Sequence, residues 1–287
     1  MKGILLAGGI GSRLYPTTLS TSKQLLPVYD KPMIYYPLSI LMLAKIKDIL
    51  VITTKNDQYN FKKLLGNGKN FGINIEYKIQ KKPKGIAEAF LIANNFIKNS
   101  NVCLILGDNI FYGQNLVSIL QKVVKRKSGA TLFAYHVNDP ERFGVVDFDK
   151  KKNIISLEEK PIAPKTNFAA TGLYFYDNTV LDKAKKLKPS NRNELEITDL
   201  NMMYLKEKKL KVEFLGRGSA WLDTGTHESL LEASQFVQIV EKRQGLKIAC
   251  LEEIAFNNNW ICKNDILKRI KIFKDTLYSE YLKNLIS

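Results

Sequence analysis

Short apolar runs that end at a glycine or a polar residue recur along the chain and predict the strands of an open α/β sheet. The first run, Ile4–Ala7, has no polar alternation and stops at Gly8, as expected of a parallel strand covered on both faces. Residues 48–53, 75–79 and 102–106 repeat this character. The pattern predicts a Rossmann-like, mixed but mostly parallel sheet flanked by helices.

Helix-like stretches separate these runs. Helices are predicted over residues 33–44, 58–65, 88–97 and 116–125, with the first kinked or restarted at Pro37. Another helix is expected to begin at Arg192, and further strands are predicted over residues 130–137, 143–148, 154–157, 168–176 and 212–215. Beyond Gly245, amphipathic stretches without phosphate chemistry predict a helical C-terminal region.

Composition and charge narrow the possible functions. The 287 residues are 45% apolar and 25% charged, which is typical of a globular protein, and their net charge is +16. Such a charge raises nucleic acid as a partner, but the lysines at 183–188 and 206–211 are interrupted by apolar or acidic residues, as on solvated faces. No zinc-finger spacing or RNA-binding motif is present, so we expect no nucleic-acid partner.

The sequence also lacks the features of a membrane protein, of a disulfide or zinc site, and of histidine-based catalysis. No apolar run approaches the ~18 residues of a membrane span, and no leader pattern precedes the first strand, so a cytoplasmic protein without membrane contact is predicted. Cys103, Cys250 and Cys262 have neither disulfide-framework nor zinc-site spacing. Because the only histidines are His136 and His227, carboxylates, lysines and arginines are expected to do the chemistry.

A glycine-rich loop with a hydroxyl and two cations follows the first strand, and its members are Gly8, Gly9, Gly11, Ser12, Arg13 and Lys23. Glycines at this spacing let backbone N–H groups approach a phosphate. A Walker A loop is excluded because no Gly-Lys-Ser/Thr follows, and a dinucleotide fingerprint is weak because Leu14 stands where its third glycine belongs. A plain connector with solvated cations is the structural alternative.

Two aspartates follow apolar runs and are expected at strand ends. Asp108 follows the apolar run 102–106, and Asp223 follows Ala220-Trp221-Leu222. Carboxylates at such strand ends can ligate Mg²⁺, which shares its shell with water and substrate phosphates. For Asp108 the alternative is that it caps the next turn; its position beside the glycine loop favours the metal.

The segment G-G-x-G-S-R-L-x-P, followed by Lys23, Gln24-Leu25-Leu26-Pro27 and Lys31-Pro32, closely resembles the signature of the sugar-nucleotide pyrophosphorylases. Within them it is most similar to the glucose-1-phosphate thymidylyltransferases, and the resemblance covers nearly the whole chain. It implies a nucleotidyltransferase core over residues 1–225 that has nucleotide-binding and sugar-phosphate-binding parts, the latter as an insertion. Residues 226–287 would then pack on this core or on another subunit.

The resemblance also implies roles for individual residues. The nucleotide would be bound by Gly8, Gly9, Gly11, Ser12, Arg13, Gln24, Gln80, Gly85 and Asp108. The sugar phosphate would be bound by Gly144, Glu159, Lys160, Tyr174 and Arg192. Arg13, Lys23 and Lys160 would be catalytic, and Asp108 and Asp223 would hold Mg²⁺. From the residues alone, Lys160 after two glutamates could equally form a surface ion pair.

The implied reaction joins dTTP and glucose 1-phosphate to give dTDP-glucose and pyrophosphate, the first step of dTDP-rhamnose and related dTDP-sugar synthesis. A uridylyltransferase on the same scaffold is the alternative. The resemblance further implies a homotetramer and an inhibitory dTDP-sugar at a second, allosteric site near Tyr112, Gly113, Arg217 and Glu253. One departure from the family pattern is Phe143, which occupies a position where tyrosine is common.

Overall fold

A computed structural model describes residues 1–287. The strands are β1 (Lys2–Ala7), β2 (Pro27–Val28), β3 (Lys31–Pro32), β4 (Asp48–Thr53), β5 (Asn74–Ile79), β6 (Val102–Leu106), β7 (Asn109–Gly113), β8 (Ala130–His136), β9 (Gly144–Phe148), β10 (Ile154–Glu159), β11 (Phe168–Tyr176), β12 (Leu210–Leu215) and β13 (Ser219–Asp223). The helices are α1 (Tyr35–Leu43), α2 (Gln58–Leu65), α3 (Glu88–Ile92), α4 (Asn94–Ile97), α5 (Leu116–Val124), α6 (Val180–Ala184), α7 (Ile197–Lys206), α8 (His227–Gln244), α9 (Leu251–Asn257), α10 (Lys263–Phe273) and α11 (Leu277–Leu285). None of these helices is long and apolar enough to cross a membrane.

The central sheet has nine strands, and its main path runs β10-β9-β11-β6-β1-β4-β5. Strands β6, β1, β4 and β5 are mutually parallel, whereas β11 is antiparallel to β6 and to β8. β12 then pairs in parallel with β8 at the sheet margin. The predicted mixed, mostly parallel α/β architecture is therefore confirmed, with β1 and its glycine loop near the middle, where ligands bind in such sheets.

A separate two-stranded ribbon lies beyond the carboxyl end of β6. It pairs β7 with β13 in antiparallel fashion, so that Asn109 is opposite Asp223. Because Asp108 immediately precedes β7 and Asp223 ends β13, this pairing brings together two aspartates that lie more than a hundred positions apart in the sequence. The ribbon is the element that positions them.

The C-terminal helices belong to the main core. Eight of the nine residues of α1 are buried, and α1 packs against α9. One apolar cluster includes Leu38 and Leu41 of α1 together with Leu251 and Ile266 of the C-terminal region. Residues 251–285 therefore cover a helix that would otherwise expose apolar surface on several sides.

Two predicted helices have different bounds in the structure. α7 begins at Ile197 rather than Arg192 because the backbone of Leu195 is paired with the loop before α3: its amide donates to the carbonyl of Lys84 at 2.8 Å, and its carbonyl accepts from the Ala87 amide at 3.1 Å. The helix predicted over residues 88–97 is interrupted at Ala93, whose carbonyl accepts from two later amides.

Candidate active site

The glycine loop leaves β1 and enters a short helical turn, Ser12–Leu14. Gly11 has a left-handed φ of 72° at the start of this turn, a conformation that favours glycine. A Cβ at Gly8 would lie 2.2 Å from Oε1 of Gln80, whereas a Cβ at Gly9 would have no neighbour within 4 Å. The loop is thus closed against Gln80 and open at Gly9, where a ligand can approach the backbone.

Lys23 and Asp108 form an ion pair beneath this loop. Burial favours a raised pKa for Asp108, but the Lys23 ammonium and the amide of Asn109, which donates to Asp108 Oδ1 at 3.0 Å, hold the pKa below its ordinary value. Thr224 donates to the carbonyl of Asp108 through its hydroxyl at 2.8 Å. Asp108 is therefore ionised and fixed in place.

Asp223 lies next to Asp108 but in a different electrostatic environment. Burial and the neighbouring Asp108 charge raise its pKa, against the opposing influence of Lys23, Arg13 and Arg142. The Arg13 side chain passes over Gly225, because a Cβ added there would lie 2.9 Å from Arg13 Nη2 and 3.3 Å from Asp223 Oδ2. Arg142 Nη2 is 3.8 Å from the same carboxylate oxygen.

This pair of carboxylates fits a magnesium ion. No group of three or more histidine, cysteine, aspartate or glutamate side chains is placed to hold a metal, so a closed protein cage is absent. Mg²⁺ is typically held by one or two carboxylates and substrate phosphates. Two adjacent aspartates, one with a pKa raised by burial and by the charge of the other, have the donor chemistry of such an open, hard-oxygen site.

Of the three residues predicted to face the base, Gln80 lies against Gly8 of the glycine loop, whereas Gln24 and Gly85 do not line the cleft beside it. Gln24 and Gln80 are buried, and Oε1 of Gln24 accepts from the Ser22 hydroxyl at 2.6 Å. Gly85 has a φ of 95° and packs against Leu195, whose carbonyl oxygen would lie 2.4 Å from an added Cβ. Gln80 and Gly8 line a cleft of about 610 Å³.

The predicted sugar-phosphate residues line a second cavity of about 260 Å³, which also contains Arg13, Asp108 and Asp223. Glu159 Oε2 accepts from Thr198 Oγ1 at 2.6 Å, and Glu159 Oε1 accepts from Arg192 Nη2 at 3.3 Å. A Cβ at Gly144 would lie 3.4 Å from Glu159 Oε2. Tyr174 is buried in the same wall, and burial raises the pKa of its hydroxyl.

Lys160 is one of the exposed cations of this cavity. Its amide donates to the carbonyl of Phe143 at 2.9 Å, and its φ of 47° is left-handed, a strained conformation that clusters at functional sites. Its ammonium forms no ion pair within the protein, whereas the Arg192 guanidinium is paired with Glu196 at 2.9 Å. Lys160 is therefore the free cation on the sugar side.

Asn109 is a site residue that the sequence pattern did not single out. Its Oδ1 accepts from Trp221 Nε1 at 2.6 Å and from the amide of Gly172 at 3.0 Å, while its Nδ2 donates to Asp108. A Cβ at Gly172 would lie 2.5 Å from this oxygen, which explains the glycine. The only sequence signal was its position directly after Asp108.

Arg142, Glu196 and Thr198 also line the cavity and were not predicted. Arg142 and Phe143 follow a proline turn, with the guanidinium 5.2 Å from the Phe143 ring centre. The Phe143 ring in turn contacts the Trp221 ring at a centroid distance of 5.1 Å. An apolar edge contact thus occupies the position where the family pattern has a tyrosine.

A third cavity, of about 370 Å³, lies away from the glycine loop between α1, β7 and the C-terminal region. Tyr112, Gly113 and Glu253, three of the four predicted regulatory residues, line it. Burial raises the pKa of Glu253, although its bond from Tyr281 at 2.8 Å opposes this. Arg217 is exposed in the turn between β12 and β13 and does not line this cavity.

The model of the nucleotidyl transferase family matches residues 2–239. The glucose-1-phosphate thymidylyltransferase of Neisseria gonorrhoeae is 60% identical over 286 residues, which cover 100% of this chain and 99% of that protein. The enzyme of the same name from Mycolicibacterium smegmatis is 52% identical over equal shares.

Solved structures give the same grouping. A glucose-1-phosphate thymidylyltransferase from Bacillus anthracis, in complex with sucrose, is 44% identical with a TM-score of 0.77 and covers 82% of this chain and 94% of that one. A UDP-glucose pyrophosphorylase complexed with UDP-glucose is 25% identical with a TM-score of 0.72, over 84% and 99% of the two chains. The likeness therefore extends through sequence and fold together.

Proposed function

The chain belongs to the nucleotidyl transferase family, and from this premise we propose that it is a glucose-1-phosphate thymidylyltransferase. It transfers a thymidylyl group from dTTP to α-D-glucose 1-phosphate and releases pyrophosphate, forming dTDP-glucose for dTDP-rhamnose and related dTDP-sugar synthesis. The observation that carries this proposal is the single cavity that holds Arg13, Asp108 and Asp223 together with Glu159 and Lys160. Cations and carboxylates for two anionic substrates thus meet in one place.

The chemistry requires two phosphate groups to approach each other. The sugar phosphate attacks the α-phosphorus of dTTP in line, so the protein must offset anionic repulsion and stabilise the leaving pyrophosphate. Lys160, which has no carboxylate partner in the protein, holds the attacking phosphate. Arg13 and Lys23 hold the triphosphate from the glycine-loop side. A general base is unnecessary because the attacking phosphate oxygen is already ionised.

We further propose that Asp108 and Asp223 hold Mg²⁺. The ion supplies charge neutralisation of the phosphate oxygens when it is bound. The two oxygens of Asp108 accept from Lys23 and from Asn109, so Asp108 is held in position, and the carboxylates of Asp108 and Asp223 would together hold the ion. Chelation with EDTA should abolish pyrophosphate release, and added Mg²⁺ should restore it.

The test of the reaction is pyrophosphate release with different nucleotides. Purified protein with Mg²⁺ and glucose 1-phosphate should release pyrophosphate with dTTP, more slowly with UTP and little with ATP. Thymine and uracil share an imide edge that adenine lacks, and a site with buried polar groups rejects a base that leaves them unpaired. Equal or better use of UTP would assign a uridylyltransferase instead, an alternative that the names of the relatives do not favour.

A regulatory function for the third cavity is the second part of the proposal. Tyr112, Gly113 and Glu253 line it at a distance from the phosphate chemistry, so a downstream dTDP-sugar is expected to inhibit from there, in a homotetramer. The Tyr112 hydroxyl is bonded to Gln244 at the cavity wall. Inhibition should be non-competitive with dTTP and weaker in Glu253→Gln, whose side chain lines the cavity; strictly competitive inhibition that this substitution leaves unchanged would contradict this site.

A further inference from the structure

Glu88, which begins α3, holds two groups on the base side of the site. Its Oε2 accepts from Gln80 Nε2 at 2.8 Å and from the backbone amide of Lys84 at 3.3 Å. An ionised carboxylate only accepts hydrogen bonds. The Gln80 amide must therefore turn its NH₂ toward Glu88, and this hydrogen bond fixes which of its two atoms, Nε2 or Oε1, faces the carboxylate.

The consequence of this orientation is that the acceptor atom of Gln80 faces the glycine loop. Gln80 is 5% exposed, and its Oε1 lies against Gly8, at 2.2 Å from the position of an added Cβ. Nε2 makes the only side-chain hydrogen bond of Gln80 within the protein, so Oε1 is left to accept from a ligand. A carbonyl oxygen without a donor, on a side chain that is otherwise nearly buried and lines the cleft, favours a ligand that supplies an N–H group.

Glu88 also stabilises the loop that closes this side of the cleft. The Lys84 amide donates to Glu88, and the Lys84 carbonyl oxygen accepts from the amide of Leu195. Gly85 follows with its backbone packed on Leu195. One carboxylate oxygen thus connects Gln80 at the end of β5 to the loop residues 84–87.

We propose that Glu88 is a positioning residue that sets the base specificity of the enzyme. By holding Gln80 as an acceptor, it selects a pyrimidine with an N3–H donor, as in thymine and uracil, over cytosine, whose N3 is itself an acceptor. This inference rests on the proposed thymidylyl transfer. Glu88 does not itself contact the base in this proposal and acts through the Gln80 amide.

The requirement is for an acceptor atom and not for charge. Two N–H donors converge on one oxygen of Glu88, so a glutamine at this position would turn its own Oε1 toward them and preserve the arrangement. A methionine has similar length but offers no comparable acceptor. Gln80 could then rotate its amide and present Nε2 to the base, which would suit cytosine.

The experiment compares Glu88→Met with Glu88→Gln, and uses Glu76→Gln as a control for the loss of one negative charge. Glu76 lies exposed on β5 and makes no side-chain hydrogen bond or ion pair. The readout is kcat/KM for dTTP and for dCTP at saturating glucose 1-phosphate. In Glu88→Met the dTTP to dCTP ratio should fall at least about tenfold, as expected when a polar complement to the base is lost.

Comparing the change in KM with the change in kcat distinguishes a misoriented Gln80 amide from a general loss of active-site structure. Glu88→Met should raise KM for dTTP more than it lowers kcat, while both glutamine variants keep the wild-type ratio. Calorimetric titration with dTDP and dCDP should show the same change in preference without turnover. If Glu88→Met does not fold, Glu88→Ala takes its place in the same measurements.

The possible failures are separable. A wild-type protein that forms no dTDP-glucose from dTTP would overturn the proposed function. A wild-type protein that is active, with a folded Glu88→Met variant whose dTTP to dCTP ratio is unchanged, would overturn the role of Glu88 alone. A loss of discrimination in Glu88→Gln equal to that in Glu88→Met would also overturn it, because the acceptor would then not be the feature that matters.

Discussion

At the scale of single residues, the two aspartates beside the glycine loop ionise differently because their neighbours differ. Asp108 has Lys23 and Asn109 as partners, which keep its pKa low. Asp223 has burial and the charge of Asp108 against it, and its pKa is raised. The ionised carboxylate of Asp223 therefore destabilises the folded protein.

This difference predicts a stability gain in Asp223→Asn. Because folding raises the pKa of Asp223, the folded state binds its proton more tightly, and the ionised group destabilises the fold at pH values above the folded pKa. At about pH 7 the variant should melt at a higher temperature than wild type. Near pH 3, below the ordinary aspartate value of about 3.9, the two melting temperatures should converge.

Thermal unfolding without metal or substrate, followed across this pH range, checks the prediction. The same variant should lose activity, because it removes one of the two proposed metal ligands. A variant that melts below wild type at neutral pH would show that Arg13 and Arg142 outweigh burial and Asp108.

Lys160 gives a prediction about one substrate only. Lys160→Ala should raise KM for glucose 1-phosphate well above its effect on KM for dTTP, since its ammonium is the free cation on the sugar side of the cavity. Steady-state kinetics with each substrate varied in turn measure this, with Lys165→Ala as the control. Lys165 is exposed in the same loop and makes no ion pair. Equal increases in both KM values would indicate that Lys160 only supports the fold.

At the scale of elements, a side chain added to the glycine loop at Gly9 should impair nucleotide binding without changing the stability of the fold. Gly9 has no neighbour within 4 Å of an added Cβ, and its φ is not left-handed. Gly9→Ala should therefore leave the free energy of unfolding unchanged within about 0.5 kcal/mol. It should nevertheless raise KM for dTTP, because the methyl group would occupy the space through which phosphate reaches the backbone N–H groups.

The matched control is Gly216→Ala, which also meets no atom within 4 Å and lies in the turn after β12. Urea unfolding and dTTP titration of both variants provide the comparison. If Gly9→Ala binds dTTP as wild type does, the loop is a connector and the phosphates lie elsewhere.

The β7–β13 ribbon is the element that makes the metal pair possible. Its register places Asp223 opposite Asn109, and Thr224 then bonds to the carbonyl of Asp108. Asn109 joins this ribbon to β11 through Gly172. The carboxylates are thus held by backbone pairing on one side and by a buried amide on the other.

At the scale of the whole molecule, a buried network of charges joins the hairpin formed by β2 and β3 to α8 and the segment that follows it. Lys31, whose side chain is 1% exposed, pairs with Asp30 and with Glu241 Oε1 at 2.8 Å. Lys247 pairs with the same two acids. The hairpin directly follows Lys23 and Gln24, so this network fixes the base of the active-site loop to α8.

Removing one member of this network should destabilise the protein strongly. Lys31→Met leaves Glu241, which is 7% exposed, without one of its two cations, and breaking a buried pair costs about 3–5 kcal/mol. Lys247 retains part of the compensation, so we expect the lower end of that range from urea unfolding. Lys268→Met breaks an exposed pair, 74% and 38% accessible, and should cost less than about 1 kcal/mol.

The sequence by itself determined the parts of this protein that are contiguous along the chain. Apolar runs predicted β1, β4 and β6, and the glycines and the aspartate that follow β1 and β6 were visible at their carboxyl ends, because strand formation and phosphate-loop chemistry depend on neighbouring residues. The same contiguity made the family resemblance visible. The positions of Gly8, Gly9, Gly11 and Asp108 at one edge of the sheet followed from parallel pairing alone.

Only the tertiary structure decided which distant residues complete the site. Asn109 Oδ1 accepts hydrogen bonds from Trp221 and from the Gly172 amide, and Glu159 accepts one from Thr198. The Leu195 amide bonds to the Lys84 carbonyl in a segment where a helix was predicted. None of these contacts has a local signal, because each joins residues that lie dozens of positions apart and depends on sheet order and register. Gln80 and Glu88 lie closer together in the sequence. Their contact nevertheless depends on the turn between β5 and α3, whose shape is set by packing against Leu195.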